Sequence, residues 1–535
     1  MFNLFPLIPV LLLLLFPIFF NALTVSSIMY LLVNTVSFCI FLYSTWYMKT
    51  DKRRGLFMIY LTLFTLFMNI LTVANDYITF FIGWEGVGLT SFLLIGFWFE
   101  DKENLRKAKQ AFLLTKLTDI GYIVGAGYLM SKQINLIDFT QWHGSDVPTL
   151  IRFLMFTPCI GKSALFPLFI WLPNAMVAPT PVSAHLHSAT MVAAGVFYLT
   201  RFKDIAYMPE IIIWFILAGY FIVSLLAFLE TDIKRLLAYS TLSHLSLMYL
   251  GFAAGYSTNK GNMIPFYYMI LHAFTKAPLF LIAGVLIHQY HTQNLIELRG
   301  VLYKNNLLKV ILLFLTLSLA GFLFIGIFWS KFYILVETAS LFGSEVIPIA
   351  ITLLSSAYCA RFYFLLTSKA PLSNQAPPIP KIPTISILIL FVFLLGLSIY
   401  IPISTFHHTG LTTSPFSKEH IISVVVELIV MVFVFTIIYL KLDWVAHITT
   451  IQIPKKYIVL ERIYYNIFQI PVQFLQFFCR TQIEELWDKF VNSFLSSDFA
   501  RFIHNAYRVF YNGLIYNYLL LIVVSLLVLF LLYRT

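Results

Sequence analysis

Residues 161–196 read GKSALFPLFIWLPNAMVAPTPVSAHLHSATMVAAGV. One lysine, Lys162, and two histidines, His185 and His187, stand among apolar and small residues. Pro167, Pro173, Pro179 and Pro181 punctuate the stretch, and Pro158 lies just upstream. Proline lacks a backbone donor and clashes with the preceding turn, so this density predicts a discontinuous helix. In lipid, a broken helix survives only where its freed backbone groups are buried in protein or face water, as at transporter ion sites. The stretch therefore predicts a helix that crosses a membrane and is interrupted beside a charge.

The rest of the chain agrees. It has 535 residues, 60% hydrophobic and 11% charged, against about half apolar and a quarter charged in soluble chains. A soluble enzyme, a disordered chain and a fibre are all excluded. About fifteen apolar stretches approach the ~20 residues that cross a bilayer as helix, among them 2–22, 111–130, 148–172, 262–288, 306–330 and 514–533. The fold class expected is all-α and polytopic. Its parts are N-terminal helices (1–55), a core (56–366), additional spans (367–454), a lateral amphipathic segment (455–513) and a final anchor (514–535). No Lys or Arg precedes Lys49, so the first stretch reads as a retained helix rather than a signal or transit peptide.

The net charge of +11 does not point to nucleic acid, because the basic residues gather in short loops. Loops after even-numbered spans carry Lys49, Lys52, Arg53, Arg54, Lys102, Arg106, Lys234, Arg235, Arg299, Lys304 and Lys441, and those after odd-numbered spans far fewer. By the positive-inside rule the even loops face the cytoplasm or matrix. Over 455–513, Ile483, Leu486, Phe490, Phe494, Phe499 and Phe502 recur at near-helical spacing among Lys489, Asp498, Arg501 and Arg508. From Val472 to Asn512 such a helix runs ~60 Å, about twice the hydrocarbon core, and must lie along the membrane surface. A strap across neighbouring subunits is favoured over a lipid-bound helix. Cys39, Cys159, Cys359 and Cys479 are isolated, so neither an iron–sulfur cluster nor a zinc site is expected. No phosphate-binding glycine motif is present.

Ionisable residues inside spans are costly and mark function by default. Glu85 stands in Gly83-Trp84-Glu85-Gly86-Val87-Gly88, where glycines admit a close neighbour. Lys162 sits mid-span. Burial and a nearby carboxylate act on an ammonium in opposite directions, so Glu85 and Lys162 are expected to pair and to switch a proton. His272 and Lys276 share a helical face at i,i+4, and Pro278 is expected to break that helix. Lys162-Ser163-Ala164-Leu165-Phe166 resembles Lys276-Ala277-Pro278-Leu279-Phe280, a hint of an internal repeat. Lys331 lies near a span end, where a snorkelling role competes. Lys116 and Asp119 are spaced i,i+3, as in an ion pair. Asp232 with Lys234 and Arg235 lies at a membrane edge, where anchoring competes with function. Arg361 and Glu427 are also intramembrane, and Glu427 has no assigned role. His185 and His187 point about 200° apart on a helix and are not joint metal ligands.

Taken together, FFIGWEGVGLTSFLLIGFW (80–98), residues 161–196, TDIKRLLAYSTLSHLSLM (231–248), HAFTKAPLFLIAG (272–284) and FWSK (328–331) closely resemble the chain 5 family. These are the antiporter-like membrane subunits of NADH:ubiquinone oxidoreductase, respiratory complex I. The likeness runs from about residue 40 to 366 at motif level, and in layout only beyond that. It implies inverted antiporter-like repeats, two half-channels and a hydrated axis of lysine, histidine and glutamate. It implies that Glu85, Lys162, His187, His272, Lys276 and Lys331 carry protons, with Lys116, Asp119, Tyr268, His244, Asp232 and Arg235 in support. It implies a mitochondrial inner-membrane location, neighbouring membrane-arm subunits and lipids as partners, and NADH, FMN, iron–sulfur clusters and ubiquinone in other subunits, with no cofactor in this chain. This sequence departs from the family pattern in Tyr268, where histidine is common, in Phe332, where aspartate usually follows the exit lysine, in His244, where glutamine is common, and in lacking a proline before that lysine's motif. A multisubunit cation/proton antiporter subunit and a non-pumping scaffold subunit are the competing readings.

Overall fold

A computed structural model describes residues 5–16, 24–132, 147–202, 206–258, 263–369, 380–408 and 418–450. In chain order its helices are α1 (Leu7–Leu14), α2 (Val25–Tyr47), α3 (Arg54–Val73), α4 (Tyr77–Ile95), α5 (Lys102–Ser131), α6 (Thr149–Lys162), α7 (Trp171–Asn174), α8 (Thr180–His187) and α9 (Met191–Arg201). There follow α10 (Glu210–Leu229), α11 (Ile233–Thr258), α12 (Met263–Tyr290), α13 (Asn306–Ala320), α14 (Phe328–Phe342), α15 (Val346–Thr367), α16 (Lys381–His408), α17 (Lys418–Leu440) and α18 (Leu442–Thr450). Except for the last turns of α5, they belong to the compact unit of Met1–Tyr122 and Leu136–Ile451. The described residues contain no strand, only a bridge between Asp232 and Asn294. The expected lateral segment and final anchor lie outside the described residues.

Among the described residues ten helical spans, counting α8 and α9 as one, are long and apolar enough to cross a membrane. The other expected spans fall on α1, α5, α6 and α13, apart from 514–533, which lies outside the described residues. Some helix starts are closed by polar side chains, since an orphan amide in lipid has no water to turn to. Thr24 and Ser27 form a capping box on α2, Asp76 accepts from Thr79 N at 2.7 Å, and Asn305 from Leu308 N at 3.0 Å. Burial sorts the helices. The spans Thr180–Arg201 and Ile233–Gly255 are wholly enclosed, while those at Glu210–Leu229, Lys381–Ile401 and Ile422–Leu440 present mostly apolar side chains outward. Such outward faces suit lipid.

Three interruptions shape the interior. The first ends α6 at Lys162. Ala164 takes a positive φ of 50°, Leu165 N turns back to Ile160 O at 3.0 Å, and Pro167 prevents the helix from resuming in register. The second separates α8 from α9 at His187–Thr190, where Ser188 and Thr190 hydroxyls each reach an upstream carbonyl at 2.6 Å. The third, within the stretch read as one span over 306–330, divides α13 from α14. Gly321 at φ 88° closes α13, and Phe324 and Gly326 also have positive φ. The break expected after Lys276 is absent: α12 runs continuously through Pro278. A proline costs one backbone bond, and packing on the helices around α12 absorbs that cost.

Candidate functional site

The first charged cluster forms where α4, α5 and α6 meet. Gly83 lets α4 approach α3 so closely that a Cβ there would lie 2.6 Å from Leu71 N. Gly88 does the same for charge, since its Cβ would lie 3.0 Å from Lys116 Nζ and 3.2 Å from Lys162 Nζ. Both ammonium groups therefore crowd one bare face of α4. Lys116 Nζ donates to Glu85 and, at 3.1 Å, to Asp119 Oδ2. Lys162 Nζ donates to the carbonyl oxygen of Trp84 at 2.8 Å and lies 4.8 Å from its ring centroid. Trp84 Nε1 donates to Asp119 Oδ1 at 2.7 Å.

The expected direct pair of Glu85 with Lys162 is thus corrected. The carboxylate of Glu85 is held by Lys116, and Lys162 reaches a peptide oxygen one residue away. The reason is placement: Lys162 ends its helix, and its ammonium meets the backbone of α4 before it meets a carboxylate. Lys116 joins Glu85 to Asp119, and Trp84 joins Asp119 to Lys162. Sequence reading missed Trp84, whose only signal was its position next to Glu85.

The second cluster lies along α11 and α12. His244 is bracketed by two phenols, its Nδ1 2.6 Å from Tyr268 Oη and its Nε2 3.1 Å from Tyr358 Oη. Its ring centroid is 5.4 Å from that of His272. His272 Nε2 has no hydrogen-bond partner among the described residues, and neither ring nitrogen of His187 has one. Buried nitrogens of this kind are where ordered water binds. Lys276 Nζ donates to Ser240 Oγ and, at 3.2 Å, to Leu237 O. Tyr268, the departure from histidine, does supply a hydroxyl to the row.

Lys331 closes the series. Its Nζ donates to Ala320 O at 2.6 Å and to Ser355 Oγ at 2.7 Å, so it caps the broken end of α13. A cation there complements the helix dipole. Lys331 is 2% exposed, which excludes the snorkelling role. Glu85, Lys116, Asp119, Lys162, His187, His244, His272, Lys276, Lys331 and Glu427 are each at most 8% exposed.

The supporting residues at 232–235 divide. Asp232 caps α11, accepting from Lys234 N at 2.8 Å and Arg235 N at 3.0 Å. Arg235 pairs with Glu230 at 3.1 Å. Lys234 is buried, and its Nζ donates at 2.6 Å to both Met176 O and Ala178 O. It ties α11 to the interrupted segment, a role that its place beside Arg235 in a basic loop had hidden. Arg361 Nη1 donates to Glu230 O at 2.7 Å. Among the described residues no cluster of His, Cys, Asp or Glu is arranged to hold a metal ion.

The buried ammonium, carboxylate, imidazole and phenol groups from Glu85 to Lys331 lie in a stretch of sequence that matches a family. Residues 74–357 match the one described as NADH:quinone oxidoreductase/Mrp antiporter, transmembrane. The chain belongs to that family. Residues 16–58 match the N-terminal region of complex I chain 5. NADH-quinone oxidoreductase subunit L of Rickettsia felis is 36% identical over 368 residues, 64% of this chain and 55% of that protein. NADH-ubiquinone oxidoreductase chain 5 of Metridium senile is 36% identical over 358 residues, 64% of this chain and 58% of that one. This member of the NADH:quinone oxidoreductase/Mrp antiporter family spans about half the length of the curated relatives it matches. The Mrp complex from Dietzia sp. DQ12-45-1b shares the fold, with a TM-score of 0.63 at 20% identity, over 87% of this chain and 54% of that one. The family and the apolar helices together make this a multi-pass membrane protein.

Proposed function

We propose that this chain is a proton-translocating membrane-arm subunit of NADH:ubiquinone oxidoreductase, complex I, in the mitochondrial inner membrane. Quinone reduction in other subunits, which hold NADH, FMN, the iron–sulfur clusters and ubiquinone, drives it from a distance. Neighbouring antiporter-like subunits and lipids are its partners, and the even-numbered loops face the matrix. Residues 56–366 are the working core. The observation that carries this reading is the row from Glu85 to Lys331: groups able to gain and lose protons, buried one after another, with helix breaks beside Lys162, His187 and Lys331.

Lys116 is the movable element. It touches Glu85 and Asp119 together, and a shift toward either changes the field at Lys162. Buried charges a few ångströms apart interact strongly, so the cluster titrates as one system rather than residue by residue. When Lys162 carries the proton, the Trp84 carbonyl and ring hold it. When Lys116 moves closer, like-charge repulsion drives that proton onward. His187, with two unpartnered ring nitrogens, can pass it as one nitrogen accepts and the other donates. His272 and Lys276 then carry it to Lys331.

Replacing Lys162 with Met removes the first carrier and keeps its aliphatic bulk. In the native membrane complex, protons moved per NADH oxidised should fall severalfold while the complex still assembles on native gels. Unchanged pumping in the assembled variant overturns the reading. Co-purification with flavin and iron–sulfur subunits separates it from a cation/proton antiporter.

A further inference from the structure

Phe332 follows the outlet lysine in sequence, and the one carboxylate of its own helix, Glu337, stands six residues further on. Among the described residues no carboxylate oxygen lies within ion-pair distance of Lys331 Nζ, whose bonds go to Ala320 O and Ser355 Oγ. A buried ammonium held only by neutral oxygens is incompletely compensated.

Glu427, in the middle of α17, is the complementary oddity. It is 8% exposed, and its Oε1 has no hydrogen-bond partner among the described residues. Past its first turn, over Ile422–Leu440, α17 is otherwise mostly apolar and faces outward over most of its surface, so a carboxylate there is costly without a purpose. Helix α17 packs on α15, the helix that carries Ser355. The two helices are separated by one crossing, α16, and so run in the same direction. Ser355 is the tenth residue of α15 and Glu427 the tenth of α17, which puts them at about the same depth. Thr352 Oγ1 and Ser356 Oγ, on the α15 turns flanking Ser355, are also buried without partners. Helix α15 thus brings buried hydroxyls, and α17 a buried carboxylate, to two helices that pack on each other. Lys331 and Glu427 act on each other electrostatically, and Glu427 also feels Glu345, the exposed residue that opens α15.

We propose that Glu427 is the counter-charge and proton acceptor of Lys331, and that protons leave along Lys331, Glu427 and Glu345. This rests on the proton-translocating reading above. In the step itself, the N–H bond of the Lys331 ammonium breaks and an O–H bond forms on the Glu427 carboxylate. The pair passes from charged to neutral, with Ser355 or water as the relay. Deprotonation of Glu427 toward Glu345, at the opposite end of α15 from the basic loops, resets it. A carboxylate on a neighbouring helix thereby supplies what residue 332 does not.

The test uses variants of the full chain in its native membrane complex. Glu427→Gln keeps the shape and removes the charge, and protons moved per NADH oxidised should fall severalfold. Adding Phe332→Asp to that variant returns a carboxylate to the lysine from the other side and should restore most of the loss, which a merely structural glutamate would not show. Wild-type pumping in Glu427→Gln, or no gain from the second substitution, overturns the proposal. If Glu427→Gln fails to assemble, the double variant decides: assembly with pumping supports the carrier role, and failure of both to assemble makes the residue structural and the proposal wrong. Lys162→Met run alongside separates the two claims. Pumping lost there but intact in Glu427→Gln sinks only the outlet, whereas pumping intact in both sinks the underlying reading.

Discussion

At the scale of single residues, the charges were legible and their partners were not. An ionisable side chain in an apolar run announces itself, and Glu85, Lys162, Lys276 and Lys331 are all buried as that logic requires. Which group meets which depends on how closely helices approach, and this is set by Gly83 and Gly88, not by any spacing along the chain. Hence Lys116, read only as a local pair with Asp119, proves to hold Glu85 as well. Its removal should be expensive. Lys116→Met leaves two buried carboxylates without their cation, a loss on the order of 3–5 kcal/mol. It should be read as a clear drop in the inactivation temperature of the assembled complex. Adding Glu85→Gln removes one of the stranded charges and should recover a substantial part of that drop. Additive losses in the double variant would show that the two side chains do not interact.

At the scale of elements, apolar periodicity located the helices and misjudged two interruptions. Pro278 looked like a break and is carried inside α12, because proline is tolerated where surrounding helices absorb the lost bond. The true interruption lay hidden in Ala320-Gly321-Phe322-Leu323-Phe324, whose apolar composition reads as continuous span. The left-handed backbone at Gly321, Phe324 and Gly326 reveals it, and with it the reason Lys331 is buried. Gly321 and Gly343 make a matched pair for testing this. Both have positive φ, 88° and 61°, where a Cβ costs about 1–2 kcal/mol. At Gly343 nothing lies within 4 Å, whereas at Gly321 a Cβ would meet Lys331 Cδ at 2.7 Å. Gly343→Ala should therefore cost about 1–2 kcal/mol of stability and leave pumping intact. Gly321→Ala should cost more and also reduce proton translocation, since Lys331 must move. Equal effects of the two on pumping would argue that the break at Gly321 is only a turn.

At the scale of the whole molecule, the distribution of loop charge predicted two sides, and contacts between loops now bear on that division. Arg53 of the loop after the second span pairs with Glu100 after the fourth at 3.0 Å. Arg299 after the tenth pairs with Asp443 after the fourteenth at 2.6 Å, and Gly300 N and Leu302 N bond to Leu365 O and Leu366 O where α15 ends. On the other side, Tyr207 N donates to Arg152 O at 3.1 Å and Arg201 Nη1 to Ala74 O at 2.6 Å. Even loops meet even loops and odd loops meet odd. Glu100 and Asp443 are well exposed, so these ion pairs add little stability, but each places its two loops on one face. Lys234 alone leaves the basic set, being buried against the interrupted segment, and the asymmetry survives without it. The arrangement can be read directly by placing single cysteines in a background lacking the native ones. Lys52→Cys and Lys304→Cys should react with an impermeant maleimide from the inner, basic face of sealed vesicles, and Leu150→Cys and Glu345→Cys only from the opposite face. Labelling of Glu345→Cys from the basic face would contradict both the orientation and the outlet, because the residue that opens α15 would then sit where protons enter rather than where they leave.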